Sequence, residues 1–420
     1  MALRLDIEPE RLCRFVELYT EFHRHPELSM EEHRTAALIE SELRASGLET
    51  FRCGGTGVVG ILRNGEGPVV AFRADIDGLP ILERTGLAHA SVDTATLADG
   101  TVVPTMHGCG HDAHIASALA AADLLATDLT AWTGTVVFVF QPGEENAAGS
   151  AAMIDDGLWR RAPRPDVVLG QHLGAYPAGT VQTRPGHVMS LADSWKVLVH
   201  GRGAHGSQPE NAIDPIVTAA YMITRLQAVV SRHSSPLDPT VVTVGTFHAG
   251  LKENIIPDEA EFTLNVRTPN DKVRERVLGD LRRILAAEAT AAGAKAPTIT
   301  EISRFPRCFN DPATTALVGT ALRSSLGADA VRVDRPLSMG SEDFGRLGDS
   351  IGVPSVFWWF GGIEASRFEM MAQPVPANHS PLFAPDPVPA ITTGVQAAVA
   401  GILAFLGPAT VAGQDDTDER

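Results

Sequence analysis

The chain has 420 residues, 44% of them hydrophobic, which is enough apolar material for a large core and for two or three domains. With 34 Lys and Arg against 51 Asp and Glu the net charge is −17, which argues against nucleic acid or an anionic membrane as a partner, since both reward basic patches. Four cysteines, Cys13, Cys53, Cys109 and Cys308, are scattered without a disulfide framework, the pattern of free thiols in a reducing cytoplasm. The opening segment Met1–Leu12 lacks the apolar core and cleavage site of a signal peptide, and no stretch reaches the length of a membrane span. A cytoplasmic location is therefore expected.

In chain order, Leu12, Phe15, Val16, Tyr19 and Phe22 follow helical spacing. A second helix is predicted from Ser29, with Glu32 completing a capping box, to near Gly47. Short apolar runs at Val58–Leu62, Val69–Ala74, Thr135–Phe140 and Val167–Gly170 read as buried strands, with a helix over Ile115–Ala126. Buried strands alternating with helices give an α/β sheet, in large part parallel. Past residue 190 the pattern changes to strand Trp195–His200, a helix opened by Asp214-Pro215, strands Thr240–Phe247 and Ala260–Arg267, helix Asp271–Ala292 and strand Pro297–Ser303. That β-α-β-β-α-β order is ferredoxin-like. The expected organisation is a first domain over 1–189 and 304–412, interrupted by an inserted domain over 190–303, with a disordered polar tail over 413–420. The resumed part includes strand Val353–Phe360 and a final helix over Pro389–Leu406.

Met106-His107-Gly108-Cys109-Gly110-His111-Asp112-Ala113-His114 is the densest chemistry in the chain. In an extended backbone Cys109 and His111 would share one face, and a thiolate with an imidazole suits a borderline-soft metal such as zinc. Three polar clusters follow apolar runs: Arg73-Ala74-Asp75-Ile76-Asp77, Gln141-Pro142-Gly143-Glu144-Glu145 and Gln171-His172. Binding sites in α/β sheets form at the carboxyl ends of strands, so these clusters can converge with the Cys109 loop. Each also has a plainer reading. Glu144-Glu145 fits a solvated turn, His172 a hydrogen-bonded core histidine, His379 a loop histidine and Asp75 a helix cap. Taken together they equip a hydrolase, with ligands for metal and a spare glutamate to move protons. Gly201-Arg202-Gly203-Ala204-His205-Gly206 matches a dinucleotide fingerprint, but no helix opens at its third glycine, so that function is set aside. Trp358-Trp359-Phe360 reads as core strand rather than an acyl pocket.

On these residues the chain resembles the aminoacylase/carboxypeptidase-type family of dinuclear metallopeptidases. Within it, the amidohydrolase branch of hippurate, N-acyl-amino-acid and auxin-conjugate hydrolases is the nearest likeness. The likeness runs from His25-Pro26-Glu27-Leu28-Ser29 to Asn378-His379-Ser380-Pro381-Leu382-Phe383. Its stations between are Phe72–Pro80, Met106–His114, Gln141–Glu145, Gly203–Gly206, Asn254–Pro257 and Met339–Phe344. The resemblance implies a phosphorylase/hydrolase-like α/β catalytic domain with an inserted ferredoxin-like α+β lid and dimerisation domain. It implies Cys109, His111, Glu145, His172 and His379 as metal ligands, Cys109 bridging, with Glu144 as general base and Asp75 orienting a ligand. His205 is implied to hold the scissile carbonyl, in dimeric relatives that of the partner subunit. Asn254 and Arg267 are implied to bind the substrate carboxylate.

The implied activity is hydrolysis of N-acyl amino acids with two divalent ions per subunit. Zinc leads among the candidate ions, and manganese, cobalt and nickel fit the same ligands. A homodimer is expected. A dipeptidase or carboxypeptidase of the same family is the first alternative, and a non-catalytic binding protein on this fold the second. Three departures matter. Arg73 stands where other branches carry a first metal-binding His, Asn146-Ala147-Ala148-Gly149 replaces a glycine run and stiffens its loop, and Leu264–Thr268 differs from many branch members.

Overall fold

A computed structural model describes residues 7–407, so the expected tail lies outside the described residues. The chain divides into two compact units. One comprises the chain up to Gly186, Phe309–Pro336 and the part from Phe344 onward. The other comprises His187–Cys308 and Leu337–Asp343. Among the described residues no helix is long and apolar enough to cross a membrane.

The first unit is built on an eight-stranded sheet. Its four central strands, Gly134–Gln141, Val69–Asp75, Val167–Pro177 and Ser355–Ile363, are parallel neighbours in that order. Their sequences are near-continuous Val, Leu and Phe because both faces are covered. Helix His111–Thr127 is buried almost all round, as its small apolar residues allow, and packs against helices Pro9–Arg24 and Pro387–Leu403. The amphipathic Pro9–Arg24 turns Phe15, Tyr19 and Phe22 into the core. Trp358 and Phe360 face that same core, where the Trp358 indole N–H donates to Gln171 Oε1 at 3.1 Å. The run is core strand, except that Trp359 points to the opposite face.

Two local expectations change. The second helix begins at His33, not Ser29. Ser29 Oγ donates to Asp77 Oδ2 at 2.6 Å, and the Glu32 carboxylate accepts from the Gly143 and Met30 N–H groups at 2.8 and 2.9 Å. Tertiary partners therefore outcompete the capping box. The strand opened by Val167 continues to Pro177, so His172 lies inside it rather than after it. Pairing with Ser355–Ile363 along its length keeps it extended.

The second unit has a four-stranded antiparallel sheet in the order Val241–Ala249, Glu259–Thr268, Leu191–His200, Thr298–Phe305. Helices Pro215–Ala228 and Asp271–Ala291 cover one face, onto which Ala260, Phe262, Leu264 and Val266 alternate. This is the ferredoxin-like order. The Asp214 carboxylate caps the first helix, accepting from the Ile216 and Val217 N–H groups. Leu337–Asp343 joins this unit through main-chain bonds. The Ser190 N–H reaches Ser338 O and Gly340 O, and the Ser338 N–H reaches Val188 O. Backbone pairing of that kind leaves no side-chain signal in a sequence. Gly201–Gly206 forms no strand-to-helix turn, since Ala204–His205 pairs antiparallel with Ile255–Ile256.

The loop after Gly134–Gln141 returns to helix Gly149–Asp155 through a tight approach. A Cβ on Gly149 would lie 1.5 Å from Pro142 O, whereas Ala147 already sits at φ 58°, a conformation suited to glycine. Gly149→Ala should lower the urea midpoint by an amount equivalent to about 2 kcal/mol or more, while Ala147→Gly should not lower it. Equal midpoints for Gly149→Ala and the parent would refute the close approach.

Candidate metal centre

The site is assembled from strand ends and one helix start in the first unit. Asp75 closes strand Val69–Asp75, Glu144 and Glu145 follow Gly134–Gln141, and His172 lies in the next strand. Cys109 and His111 flank Gly110, whose φ of 85° turns the chain into helix His111–Thr127. The two side chains therefore converge across a left-handed turn, not by alternation along an extended segment. Gly110 is required there, since a Cβ would meet Leu173 Cδ2 at 2.7 Å.

Hydrogen-bond partners fix which imidazole nitrogens are available. His111 Nδ1 donates to Asp77 O at 2.9 Å, with Asp77 Oδ1 at 3.2 Å, which leaves Nε2 for a ligand. His172 Nδ1 donates to Leu173 O at 2.7 Å, and its Nε2 lies 3.5 Å from Cys109 Sγ. His114 is excluded as a ligand. The Leu173 N–H donates to its Nε2 at 2.6 Å, and its Nδ1 is bonded to Asp75. Asp75 is buried between His114 and Arg73, whose Nη1 donates to it at 2.7 Å. Orienting His111 falls to Asp77, which the sequence reading left without a role. Its Oδ2 also accepts the Glu145 N–H at 3.1 Å, so one carboxylate sets both an imidazole and the glutamate turn.

Cys109 belongs to two donor groups, one with His111 and His172 and the other with Glu145 and His379. His111, Glu144 and Glu145 form a third, and within each group the donor atoms lie within 4.8 Å of one another. His379 Nε2 is 3.3 Å from Glu145 Oε1, and its backbone holds φ at 69° while its N–H donates to Gly108 O at 2.7 Å. A non-glycine residue in that region costs about 1–3 kcal/mol, a strain typical of functional positions. Asn378, also unassigned by the sequence reading, ties the pieces together by donating to Cys109 O at 2.8 Å and Leu173 O at 3.0 Å. Its place beside His379 in one motif was the signal for it.

The electrostatics fit divalent cations. His111 Nε2 and Glu145 Oε1 are buried and make no hydrogen bond. Burial, with Glu145, Glu144 and Asp75 nearby, pushes the Cys109 thiol well above its usual range. Against burial, Asp75, Asp77 and Glu145 raise His111 to about 10, while burial and His114 hold His172 well below its usual value. A cation would reverse this logic, taking the thiolate and the His111 lone pair in exchange for protons. Thiolate, imidazole and carboxylate together suit a borderline metal. Glu144 is buried beside these donors. The loop that carries it hangs on Glu32, which burial and Asp77 push up to about 7.

The remaining expected residues belong to the second unit. His205 is exposed, and its Nδ1 accepts from the Ser207 N–H at 3.1 Å, the arrangement of a tautomer with its proton on Nε2. Asn254 is beside it, with Asn254 O accepting the Gly206 N–H. Arg267 donates to Asn265 Oδ1, Met339 O and Ser341 Oγ. Arg267 lies eight positions after Glu259 on strand Glu259–Thr268, and Asn254 precedes that strand in the chain. At about 3.3 Å per residue, Arg267 and Glu259 are on the order of 25 Å apart. Among the described residues no hydrogen bond links Arg267 to Asn254.

Residues 71–378 match peptidase family M20/M25/M40. The chain is 33% identical over 377 residues to thermostable carboxypeptidase 1 of Saccharolobus solfataricus, covering 88% of this chain and 90% of that protein. It is 36% identical over 354 residues to N-acetylcysteine deacetylase of Bacillus subtilis, covering 83% and 88%. The solved structure of a Bacillus subtilis dinuclear metal binding peptidase of family M20 superposes with a TM-score of 0.74 at 29% identity, covering 95% of this chain and 100% of that one. The chain belongs to peptidase family M20/M25/M40.

Proposed function

We propose that this protein is a metal-dependent amidohydrolase that cleaves N-acyl amino acids to a carboxylic acid and a free amino acid. The observation that carries the reading is Cys109 shared between two donor groups, beside the adjacent Glu144 and Glu145. Cys109, His111, Glu145, His172 and His379 would hold two divalent ions, zinc first, with manganese, cobalt or nickel suited to the same donors. Bound there, such ions supply Lewis acidity that polarises the amide carbonyl and eases deprotonation of a water. Glu144 takes the proton of the attacking water and passes it to the leaving nitrogen. Asp77 and Asp75 keep the imidazoles in their tautomers. His205 donates its Nε2 proton in a hydrogen bond to the carbonyl oxygen as charge develops. Asn254 and Arg267 hold the substrate carboxylate, and their separation within one chain supports a homodimer in which a second copy completes that pair. The name of the Bacillus relative supports the acyl-amino-acid reading. The name of the Saccharolobus relative supports the alternative, a carboxypeptidase or dipeptidase. Turnover of an N-acyl amino acid against its unblocked dipeptide decides between them.

The adjacent glutamates provide the sharpest mutational contrast. Glu145→Ala should lower metal content and activity together. Glu144→Gln should keep metal and fold but lose roughly 100-fold or more in kcat, the usual scale for general acid–base work. Near-normal turnover of Glu144→Gln would remove it as the base.

Cys109→Ser should weaken metal binding far more than serine at Cys13, Cys53 or Cys308. Because Cys109 and His111 are raised, loading should release protons and the apparent affinity should climb with pH. Calorimetry in buffers of different ionisation enthalpy reads this directly. Proton-neutral loading, or equal metal content in all four variants, would contradict the assignment.

Mixing inactive His205→Ala with inactive Glu144→Gln should restore activity, about a quarter of the parent level under random subunit exchange. No recovery, with exchange demonstrated, would confine His205 to its own chain or remove it from the site.

A further inference from the structure

Arg335 is a cation of the first unit that the proposed chemistry leaves unused. Its guanidinium carbon lies 3.6 Å over the Trp359 ring, and Nη2 donates to Tyr176 Oη at 2.8 Å. Among the described residues no carboxylate pairs with it, unlike Arg73, Arg274 and Arg367, which meet Asp75, Asp193 and Asp386. The side chain is half-buried, and its backbone N–H is fixed to Thr183 O at 3.2 Å. A stacked and anchored guanidinium keeps a defined direction for its remaining N–H groups.

Its surroundings lead to the metal centre. Trp359 is in register with His172 on the neighbouring parallel strand, and such strands lie about 4.8 Å apart. Phe357, paired with Gly170, stands on the same face, with its ring centroid 6.4 Å from that of His172 and 5.3 Å from that of Trp359. Tyr176 is four residues past His172 on that face. Its ring folds back over Gly174, where a Cβ would meet it at 2.4 Å. Glycine at 174 therefore leaves room for the tyrosine that holds Arg335. The result is an aromatic wall starting at His172 and ending in an unpaired positive charge.

We propose that Arg335 is a specificity-determining residue that binds a carboxylate of the substrate, positioned by Trp359 and Tyr176. The inference rests on the reading of the chain as an acyl-amino-acid hydrolase. With Asn254 and Arg267 taking the amino acid's own carboxylate, the one left for Arg335 is borne by a dicarboxylic acyl group such as succinyl.

The test compares the metal-loaded full chain with Arg335→Ala and Arg335→Lys on three substrates: an N-succinyl amino acid, its neutral N-succinamoyl isostere and the α-amide of the succinyl compound. Arg335→Ala should raise KM about 10- to 100-fold for the substrate that keeps the recognised carboxylate, the scale of a lost charge-assisted hydrogen bond. It should leave the substrate lacking that carboxylate nearly unchanged. Lysine should restore part of the loss. Insensitivity of the succinamoyl compound, with the α-amide still affected, assigns the acyl carboxylate, and the reverse pattern overturns the proposal. A uniform loss on all three, or no loss, overturns the proposal. A purely structural clip would behave in the uniform way and lower the melting temperature. Calorimetry with succinate and butyrate gives a second readout independent of turnover. Arg335→Ala should weaken succinate at least about 10-fold more than butyrate, and equal weakening contradicts it. If the parent cleaves no acyl amino acid, the functional reading fails while the succinate–butyrate contrast still decides the role of Arg335.

Discussion

The rest of this structure depends on the burial of anionic groups at the ends of parallel strands. Asp75, Asp77, Glu144 and Cys109 are buried, and Glu145 presents a buried oxygen with no hydrogen bond. Taking that much potential negative charge out of water is costly unless positive charge comes with it. Arg73 supplies one such charge, and protonation of His111 another. Burial and the neighbouring Glu145, Glu144 and Asp75 still push the Cys109 thiol well above its usual range. Divalent cations would resolve the imbalance, and the unfilled hydrogen-bonding capacity of His111 Nε2 and Glu145 Oε1 lies where they would act.

Precision at the site comes from residues that would not touch an ion. Asp77 holds His111 and the Glu145 backbone, Asn378 joins the Cys109 turn to the His172 strand, and Glu32 suspends the Gly143 turn. Each carboxylate or amide spans elements far apart in sequence. Helix His111–Thr127 provides the floor, clamped between the sheet and two other helices. This division of labour places the strained His379 backbone at the rim, where the surrounding bonds hold it.

Much of this was legible in the sequence. Apolar runs located the central strands, and the Cys109 loop, Glu144-Glu145, His172 and His379 do gather in one place. What was not legible is long-range polar pairing. Ser29 and Glu32 look like a capping box locally, yet both are spent on distant partners. Asp77 stands two residues from Asp75 in one motif, but only the fold shows that Asp77 reaches the His111 ring while Asp75 serves Arg73 and His114. The strand between Asn254 and Arg267 was also legible, but not the bonds to main-chain oxygens that tie Arg267 to Met339 and Gly206 to Asn254. Arg335 carried no motif at all; its meaning comes from Trp359 and Tyr176 stacking around it.

The most direct test of the account is anomalous diffraction from crystals grown with zinc or manganese. Two peaks should appear, both bonded to Cys109 Sγ, one reaching His111 or His172 and the other Glu145 or His379. A peak on Asp75 and His114, or metal bound away from Cys109, would contradict the shared-thiolate centre on which the proposed chemistry rests.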